Sequence, residues 1–146
     1  MRRTFRVVAA VAAAVMLVGC GDGGGEGAAT NKAEWEAQHG ELVAAYSRDL
    51  TAVLNTINQG ERTTTMATCN QVIDDANEVK EKALPVPNAA VDTALRKAVD
   101  IGLSAADNCL KGARNTEAHA VEVAQREFAE AREAMDEAEA AIEAWT

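Results

Sequence analysis

Residues 121–145, VEVAQREFAEAREAMDEAEAAIEAW, carry the most regular apolar pattern of the chain. Its members recur at steps of three and four residues, which is the spacing of one face of an α-helix. They are Val121, Ala124, Phe128, Ala131, Met135, Ala138, Ile142 and Trp145. A helix with such a stripe buries it against other helices, typically at a crossing angle of about 20°. The segment therefore predicts the last helix of a bundle, beginning at residue 115 or 116.

Three upstream segments have the same spacing. The first spans about residues 31–58 and begins with a capping box, in which Asn31 precedes Glu34 by three residues. The second is about 20 residues long and ends before Pro85, because proline cannot continue a helix. The third, about 23 residues long, starts after an Asn88 cap and stops near Gly112.

Short connections make consecutive helices antiparallel. The fold class predicted is therefore all-α, an antiparallel up-down four-helix bundle with long first and last helices over residues 31–146. In this topology the first helix begins and the last helix ends at the same pole. We therefore expect Trp35 and Trp145 to be in contact there.

The N-terminus resembles a secretory signal. The first six residues contain three arginines and no acid, and residues 7–18 are unbroken Val, Ala, Met and Leu. Twelve residues rise only about 18 Å as a helix, which is well short of the roughly 30 Å hydrocarbon layer. We expect the segment to be removed rather than to remain as a membrane span.

Leu17-Val18-Gly19-Cys20 resembles the lipobox of bacterial lipoproteins. The resemblance implies cleavage after Gly19 and fatty acyl chains, such as palmitate, on Cys20. The alternatives are an ordinary cleaved signal and an uncleaved one. In the lipoprotein interpretation, residues 1–19 are the signal peptide, residues 20–30 are the lipidated cysteine with a flexible Gly-rich tether, and the domain faces outward at the cell membrane.

The net charge of the chain limits the classes of molecule that it can bind. Removal of residues 1–19 takes away three of the 14 basic residues and none of the 23 acidic ones, which leaves a net charge of −12. Nucleic acid and anionic lipid headgroups are poor partners for such a surface. The membrane is therefore expected to be contacted through the lipid of Cys20, and no nucleic acid partner is expected.

Two cysteines remain after Cys20 is assigned to the lipid. Cys69 and Cys109 lie on the inward faces of adjacent antiparallel helices, so a disulfide is predicted, worth about 4 kcal/mol for a loop of this length. Two buried free thiols are the alternative. Bonded cysteines on antiparallel helices should lie at similar distances from the connection between the helices. Cys69 lies about 21 Å from the end of its helix, whereas Cys109 lies about 30 Å from residue 89. A third helix that begins near residue 91 or 92 reduces this difference, so we expect it to begin there.

The segment from Cys69 to Cys109 contains Pro85-Val86-Pro87 between two cysteine-bearing helices. In this it is similar to small exported helical proteins of high-GC Gram-positive bacteria. The resemblance implies an exported helical domain and brings no known activity.

Metal and catalytic motifs are poorly represented. Glu36 and His39 have the Glu-x-x-His spacing of ferritin-like di-iron sites, but that class needs the motif twice, and His119 has Thr116 at the corresponding position. No Gly-x-Ser-x-Gly, Ser-x-x-Lys, HExxH or phosphate-binding glycine loop occurs. We expect no metal site, no cofactor, no catalytic residues and no enzymatic activity.

The outer face of the last helix is strongly acidic. Its acids are Glu130, Glu133, Asp136, Glu137, Glu139 and Glu143. Such a face is a candidate site for a basic partner or for loosely held divalent cations. The alternative is a solvated face that keeps the domain soluble.

The function expected from these features is that of a lipid-anchored, non-enzymatic module that binds an unidentified envelope protein. One alternative is a small-ligand carrier, which needs a cavity of several hundred cubic ångströms between the helices. Another is a cation or envelope-stress sensor that uses the acids of the last helix.

Overall fold

The computed structural model describes residues 29–146. The predicted signal segment, Cys20 and almost all of the predicted tether lie outside this range. The described chain forms four helices and contains no strand: α1 (Lys32–Gln59), α2 (Arg62–Glu78), α3 (Ala89–Asn115) and α4 (Ala118–Ala144), with a π turn (Val79–Ala83) that continues α2. Within these residues, no helix combines the length and the apolar character that crossing a bilayer requires.

The four helices pack in cyclic order. α1 lies against α2 and α4, α2 lies against α3, and α3 makes its most extensive contact with α4. The helical bundle predicted from the apolar stripes is confirmed. α1 has 28 residues and α4 has 27, so the first and last helices are long. α3 also has 27 residues, so the expectation of a shorter third helix of about 23 residues is wrong.

The start of α1 is capped by its predicted residue. The Asn31 side chain accepts a hydrogen bond of 3.0 Å from the Glu34 backbone N–H. The Glu34 carboxylate accepts hydrogen bonds from the backbone N–H and the hydroxyl of Thr30. At the other end, Gly60 adopts a left-handed conformation (φ 73°), which closes α1 and turns the chain into α2.

The connection between α2 and α3 is extended at its first residue, Leu84, as the following proline requires. Asn88 caps α3 through the backbone N–H groups of the second and third residues of the helix. α3 therefore begins at Ala89, and the expectation of a start near residue 91 or 92 is wrong. The distance from Cys109 to the start of α3 exceeds the distance from Cys69 to the end of its helix by about 9 Å. The connection formed by residues 84–88 is long enough to span this difference.

α3 continues to Asn115, so the expectation that it stops near Gly112 is also wrong. Gly112 is buried in the contact with α4, where an added Cβ would lie 2.7 Å from a methyl carbon of Val121. It is a position of close helix approach and not a helix end. Thr116 takes the left-handed position instead (φ 59°), and α4 begins at Ala118 rather than at residue 115 or 116.

The core joins large side chains from α1, α3 and α4 to alanines that lie mainly on α3 and α4. Its largest fully buried members are Trp35, Tyr46, Phe128, Leu50, Leu95 and Met135. No side-chain nitrogen or oxygen buried within residues 29–146 lacks a hydrogen-bond partner. The domain therefore buries its few polar groups without leaving them unsatisfied.

Candidate functional site

Cys69 on α2 and Cys109 on α3 form a disulfide, as predicted. Their Cα atoms are 6.4 Å apart, and both side chains are buried. The bond fastens α2 to α3 in the interior of the bundle, so it is out of reach of large reactants. This position suits a structural bond.

The predicted contact between Trp35 and Trp145 is confirmed. Their ring centroids are 6.0 Å apart, with the planes tilted by 49°. Trp35 is buried, and its indole N–H donates a hydrogen bond of 3.1 Å to the Ala83 carbonyl at the end of the π turn. The pole where α1 begins is therefore held together by residues from α1, α4 and the π turn.

A cavity of about 220 Å³ opens between α1 and α4 next to this pole, and we call it the α1–α4 slot. It is lined by Trp35, Glu36, Gly40, Val43, Ala44, Glu139 and Ile142. Gly40 and Ala44 are one turn apart on α1, and their small size leaves the space open. The slot has a mainly apolar lining, with one carboxylate from each helix.

A network of polar side chains joins α1 to α4 beside the slot. The Ser47 hydroxyl donates a hydrogen bond of 2.6 Å to Glu139 and accepts one of 2.5 Å from Arg132. The guanidinium of Arg132 also pairs with Asp136 at 2.6 Å and reaches the Ser47 carbonyl at 3.3 Å. The network fixes the position of the Glu139 carboxylate at the slot.

The six acids of the last helix are not brought together into one site. Glu137 pairs with Lys97 of α3 at 3.2 Å, whereas Glu139 faces Ser47 of α1. Glu130 and Asp136 pair with arginines of their own helix, at 4.0 and 2.6 Å. Glu133 and Glu143 form no ion pair with any described residue. Over residues 29–146, no group of three or more His, Cys, Asp or Glu side chains is placed to hold a metal ion.

The two histidines lie at opposite poles. The His39 ring packs against Trp35, with centroids 5.9 Å apart, near the start of α1. His119 is exposed in the first turn of α4. The Glu36 and His39 motif therefore has no second histidine near it.

A second cavity, of about 260 Å³, lies at the pole opposite the tryptophans. It is formed where the α1–α2 turn meets the α3–α4 turn, and Arg62, Thr65 and Thr116 are among its lining residues. Arg62 donates a hydrogen bond of 2.9 Å to the Arg114 carbonyl, and Thr65 donates one of 3.3 Å to the Thr56 carbonyl. The Arg62 contact bridges the two turns, whereas the Thr65 contact joins the start of α2 to the end of α1.

Sequence reasoning missed a pair of carboxyl groups between α1 and α2. Asp75 is only 9% exposed and accepts a hydrogen bond of 2.9 Å from the Gln71 amide. Burial, followed by a hydrogen bond and repulsion from Asp75, raises the pKa of Asp49 to about 6. Helical spacing could have indicated that both aspartates face inward. Asp75 lies three residues after Val72 of the apolar stripe, and Asp49 lies three residues after Tyr46.

No family model, curated protein or solved structure matches this chain. The slot, the acidic surface and the disulfide are the features of the described residues that bear on function.

Proposed function

We propose that this chain is a lipid-anchored, non-enzymatic domain on the extracytoplasmic face of the cell membrane, and that it binds a basic partner protein at the α1–α4 slot. The lipobox ending in Cys20 supports the anchor. The slot, with its apolar lining and two carboxylates, is the observation that carries the binding role.

The disulfide supports export. Disulfides such as Cys69–Cys109 persist in oxidising compartments and are rare in the cytosol. If Cys20 carries the lipid, only eleven residues separate it from Lys32, the first residue of α1. α1 then begins close to the membrane, and the slot lies at the membrane-proximal pole.

The lining of the slot suits a lysine or arginine side chain. Such side chains place a methylene stem on apolar surface and a cationic head beside carboxylates. Val43 and Ile142 supply apolar surface. Glu36 supplies one carboxylate, and Glu139 supplies a second, which already pairs with Arg132 at 3.8 Å. Glu36 forms no ion pair with any residue in the described part of the chain, so its charge is available to a partner.

The charge of the whole domain favours the same class of partner. Residues 29–146 contain 21 of the 23 acidic residues and 11 of the 14 basic ones. This excess of negative charge attracts basic proteins over distances of about one Debye length and speeds their association.

A small-ligand carrier is less well supported. The two cavities, of about 220 and 260 Å³, are smaller than the roughly 300–1,000 Å³ of typical small-ligand pockets. They can accept a side chain of a partner more readily than they can enclose a whole ligand. A cation sensor is also less well supported, because the acids of α4 are divided between α1, α3 and solvent.

Peptide binding in solution tests the proposed site. Both tryptophans of the chain lie at the slot pole, so their emission reports on occupancy. An amphipathic lysine–leucine peptide should change the emission saturably, and a glutamate–leucine peptide of the same length should not. The Glu36→Lys variant should weaken binding, whereas Glu122→Lys, a matched change at an exposed position on α4, should not. Equal responses to both peptides would contradict the proposal.

Crosslinking in intact cells tests the site in its native setting. A photoreactive phenylalanine analogue at Ala44, which lines the slot, should give a discrete adduct that is lost in the Glu36→Lys variant. The same analogue at Ala67, exposed on α2, is the control. Identical adducts from the two positions, or none from either, would count against a partner at the slot.

A further inference from the structure

The two tryptophans at the pole where α1 begins differ in the surroundings of their indole nitrogens. Trp35 is buried, and its N–H donates to the Ala83 carbonyl. Trp145 is half-buried, and its indole N–H donates to no group among residues 29–146. No buried side-chain nitrogen or oxygen in this range lacks a partner, so the Trp145 N–H is open to its surroundings. The exposed part of this side chain therefore combines an apolar ring with an available hydrogen-bond donor.

The connection between α2 and α3 adds apolar surface at the same pole. It begins directly after the carbonyl group that accepts the hydrogen bond from the buried tryptophan, whose ring lies 6.0 Å from that of Trp145. Leu84 is half-buried in this connection, and Pro85 and Pro87 are exposed. We call these three residues, together with Trp145, the end surface. Residues 83–91 contain no charged side chain, so no charge on the connection opposes contact with an apolar medium.

The end of α4 is fastened at this pole, which defines the position of the Trp145 ring. α4 ends at Ala144, and the Trp145 backbone N–H still donates to the Ile142 carbonyl at 3.2 Å. From the first turn of α1, the Lys32 ammonium reaches the Glu143 carbonyl at 3.5 Å. A surface that is already ordered loses little conformational entropy when it makes a contact.

The sequence attaches the bundle to the proposed lipid at this same pole. α1 begins at Lys32, and only eleven residues separate it from Cys20. A chain of this length spans at most about 40 Å even when fully extended. A short attachment raises the effective concentration of the attached surface at the membrane. Contacts that are too weak to bind from solution therefore become populated at this pole.

The charge of the domain determines which lipid surface it fits. Residues 29–146 contain 21 acidic and 11 basic residues, and the four residues of the end surface include no cation. Anionic headgroups repel such a domain. Zwitterionic headgroups carry no net charge. Tryptophan favours their interface, because its ring packs against apolar groups while its N–H donates to polar ones.

We propose that the end surface docks on the bilayer that holds the lipid of Cys20, with Trp145 inserted at the headgroup level of zwitterionic lipids. The proposal rests on the lipid anchor of the proposed function, which supplies the attachment. The α1–α4 slot extends along the flank of the bundle from Trp35 to Ala44, so docking leaves most of its length open to a partner. The docked bundle is upright on the membrane, and the slot faces sideways.

Quenching of tryptophan emission by brominated lipids tests the docking. In the chain of residues 20–146, Cys20 is the only cysteine outside the disulfide, so its thiol can be coupled to a maleimide-headgroup lipid in phosphatidylcholine vesicles. Brominated phosphatidylcholine should then quench the emission of the coupled protein. Trp145→Phe, which leaves only the buried Trp35 as emitter, should lose most of this quenching. The coupling does not depend on native lipidation, which mass spectrometry tests separately, so a failure of docking is distinct from a failure of anchoring.

Two glutamate substitutions separate docking from attachment alone. Pro87→Glu adds a charge at an exposed position of the end surface and should reduce the quenching of the coupled protein. Ala67→Glu, an exposed change on α2, is the matched control and should not. With the share of brominated lipid held constant, added phosphatidylglycerol should weaken the quenching of the wild type, and salt should restore it.

Three outcomes would overturn the proposal. The first is wild-type emission that brominated lipid leaves unchanged, and the second is equal quenching of the wild type, Pro87→Glu and Trp145→Phe. The third is protection of Trp145 from aqueous iodide without quenching by brominated lipid, which would mean that a second copy or another protein covers the end surface.

Discussion

The Tyr46 hydroxyl on α1 donates a hydrogen bond of 2.8 Å to the Ala98 carbonyl on α3, and so links these two helices across the interior of the bundle. The hydroxyl reaches this carbonyl because Gly102, one turn further along α3, has no side chain. A Cβ at Gly102 would lie 2.1 Å from the Tyr46 oxygen. Burial holds the pKa of Tyr46 above its ordinary value, so the hydroxyl remains a donor.

Gly102→Ala should therefore destabilise the domain by about 1–3 kcal/mol, because the new methyl group overpacks the core and displaces Tyr46 from its acceptor. Gly40→Ala is the matched control. Its Cβ would meet nothing closer than 3.9 Å, so the change should stabilise α1 by about 0.5–1 kcal/mol. Urea unfolding of the two variants should shift the midpoint in opposite directions. Equal shifts would mean that the Tyr46 contact does not constrain α3.

Removal of the disulfide should cost about 4 kcal/mol. The bond closes a loop with a sequence separation of 40 residues, and the chain-entropy model gives this magnitude for such a loop. The double variant Cys69→Ala and Cys109→Ala should unfold at lower urea concentration than the oxidised wild type. Reductant should lower the midpoint of the wild type and leave that of the double variant unchanged. A wild-type midpoint that does not respond to reductant would contradict this prediction.

The pKa of Asp92 is shifted in the opposite direction to that of Asp49. Hydrogen bonds from the Arg96 guanidinium at 2.7 Å and the Val86 backbone N–H at 2.8 Å hold the pKa of Asp92 below its ordinary value. The stabilisation is therefore present above an ordinary aspartate pKa of 3.8 and is lost as the pH falls through the lower folded value.

Asp92→Asn should lower stability by about 1 kcal/mol near neutral pH, as expected for loss of a charge-assisted hydrogen bond. Thermal unfolding measured across the acid range should show the difference from wild type disappearing below an ordinary aspartate pKa. Asp107→Asn, an exposed change on the same helix, provides the control. A difference that stays constant down to strongly acidic pH would show that the charge of Asp92 is not responsible.

Much of this architecture was predictable from apolar spacing. The stripe around Phe128 and Met135 predicted α4, and the antiparallel order placed Trp35 and Trp145 at one pole, where they meet. The disulfide between Cys69 and Cys109 followed from their inward positions on adjacent helices. These features depend on regular helix geometry, which a sequence pattern reports directly.

Features that depend on the neighbouring helix were not predictable. Gly112 suggested a helix end, but its missing side chain serves the contact with Val121 of α4. Glu137 and Glu139 are two residues apart on one acidic face, yet one meets α3 and the other meets α1. Asp75 was missed although it continues the apolar spacing three residues after Val72, because aspartates are usually exposed.

Mass spectrometry of the protein extracted from the membranes of its native host tests the central claim most directly, because both the location and the proposed partner depend on the lipid at Cys20. We predict a chain that begins at Cys20, lacks residues 1–19, and carries a diacylglyceryl thioether on the cysteine sulfur. A free Cys20 thiol, or a chain that retains residues 1–19, would contradict the account.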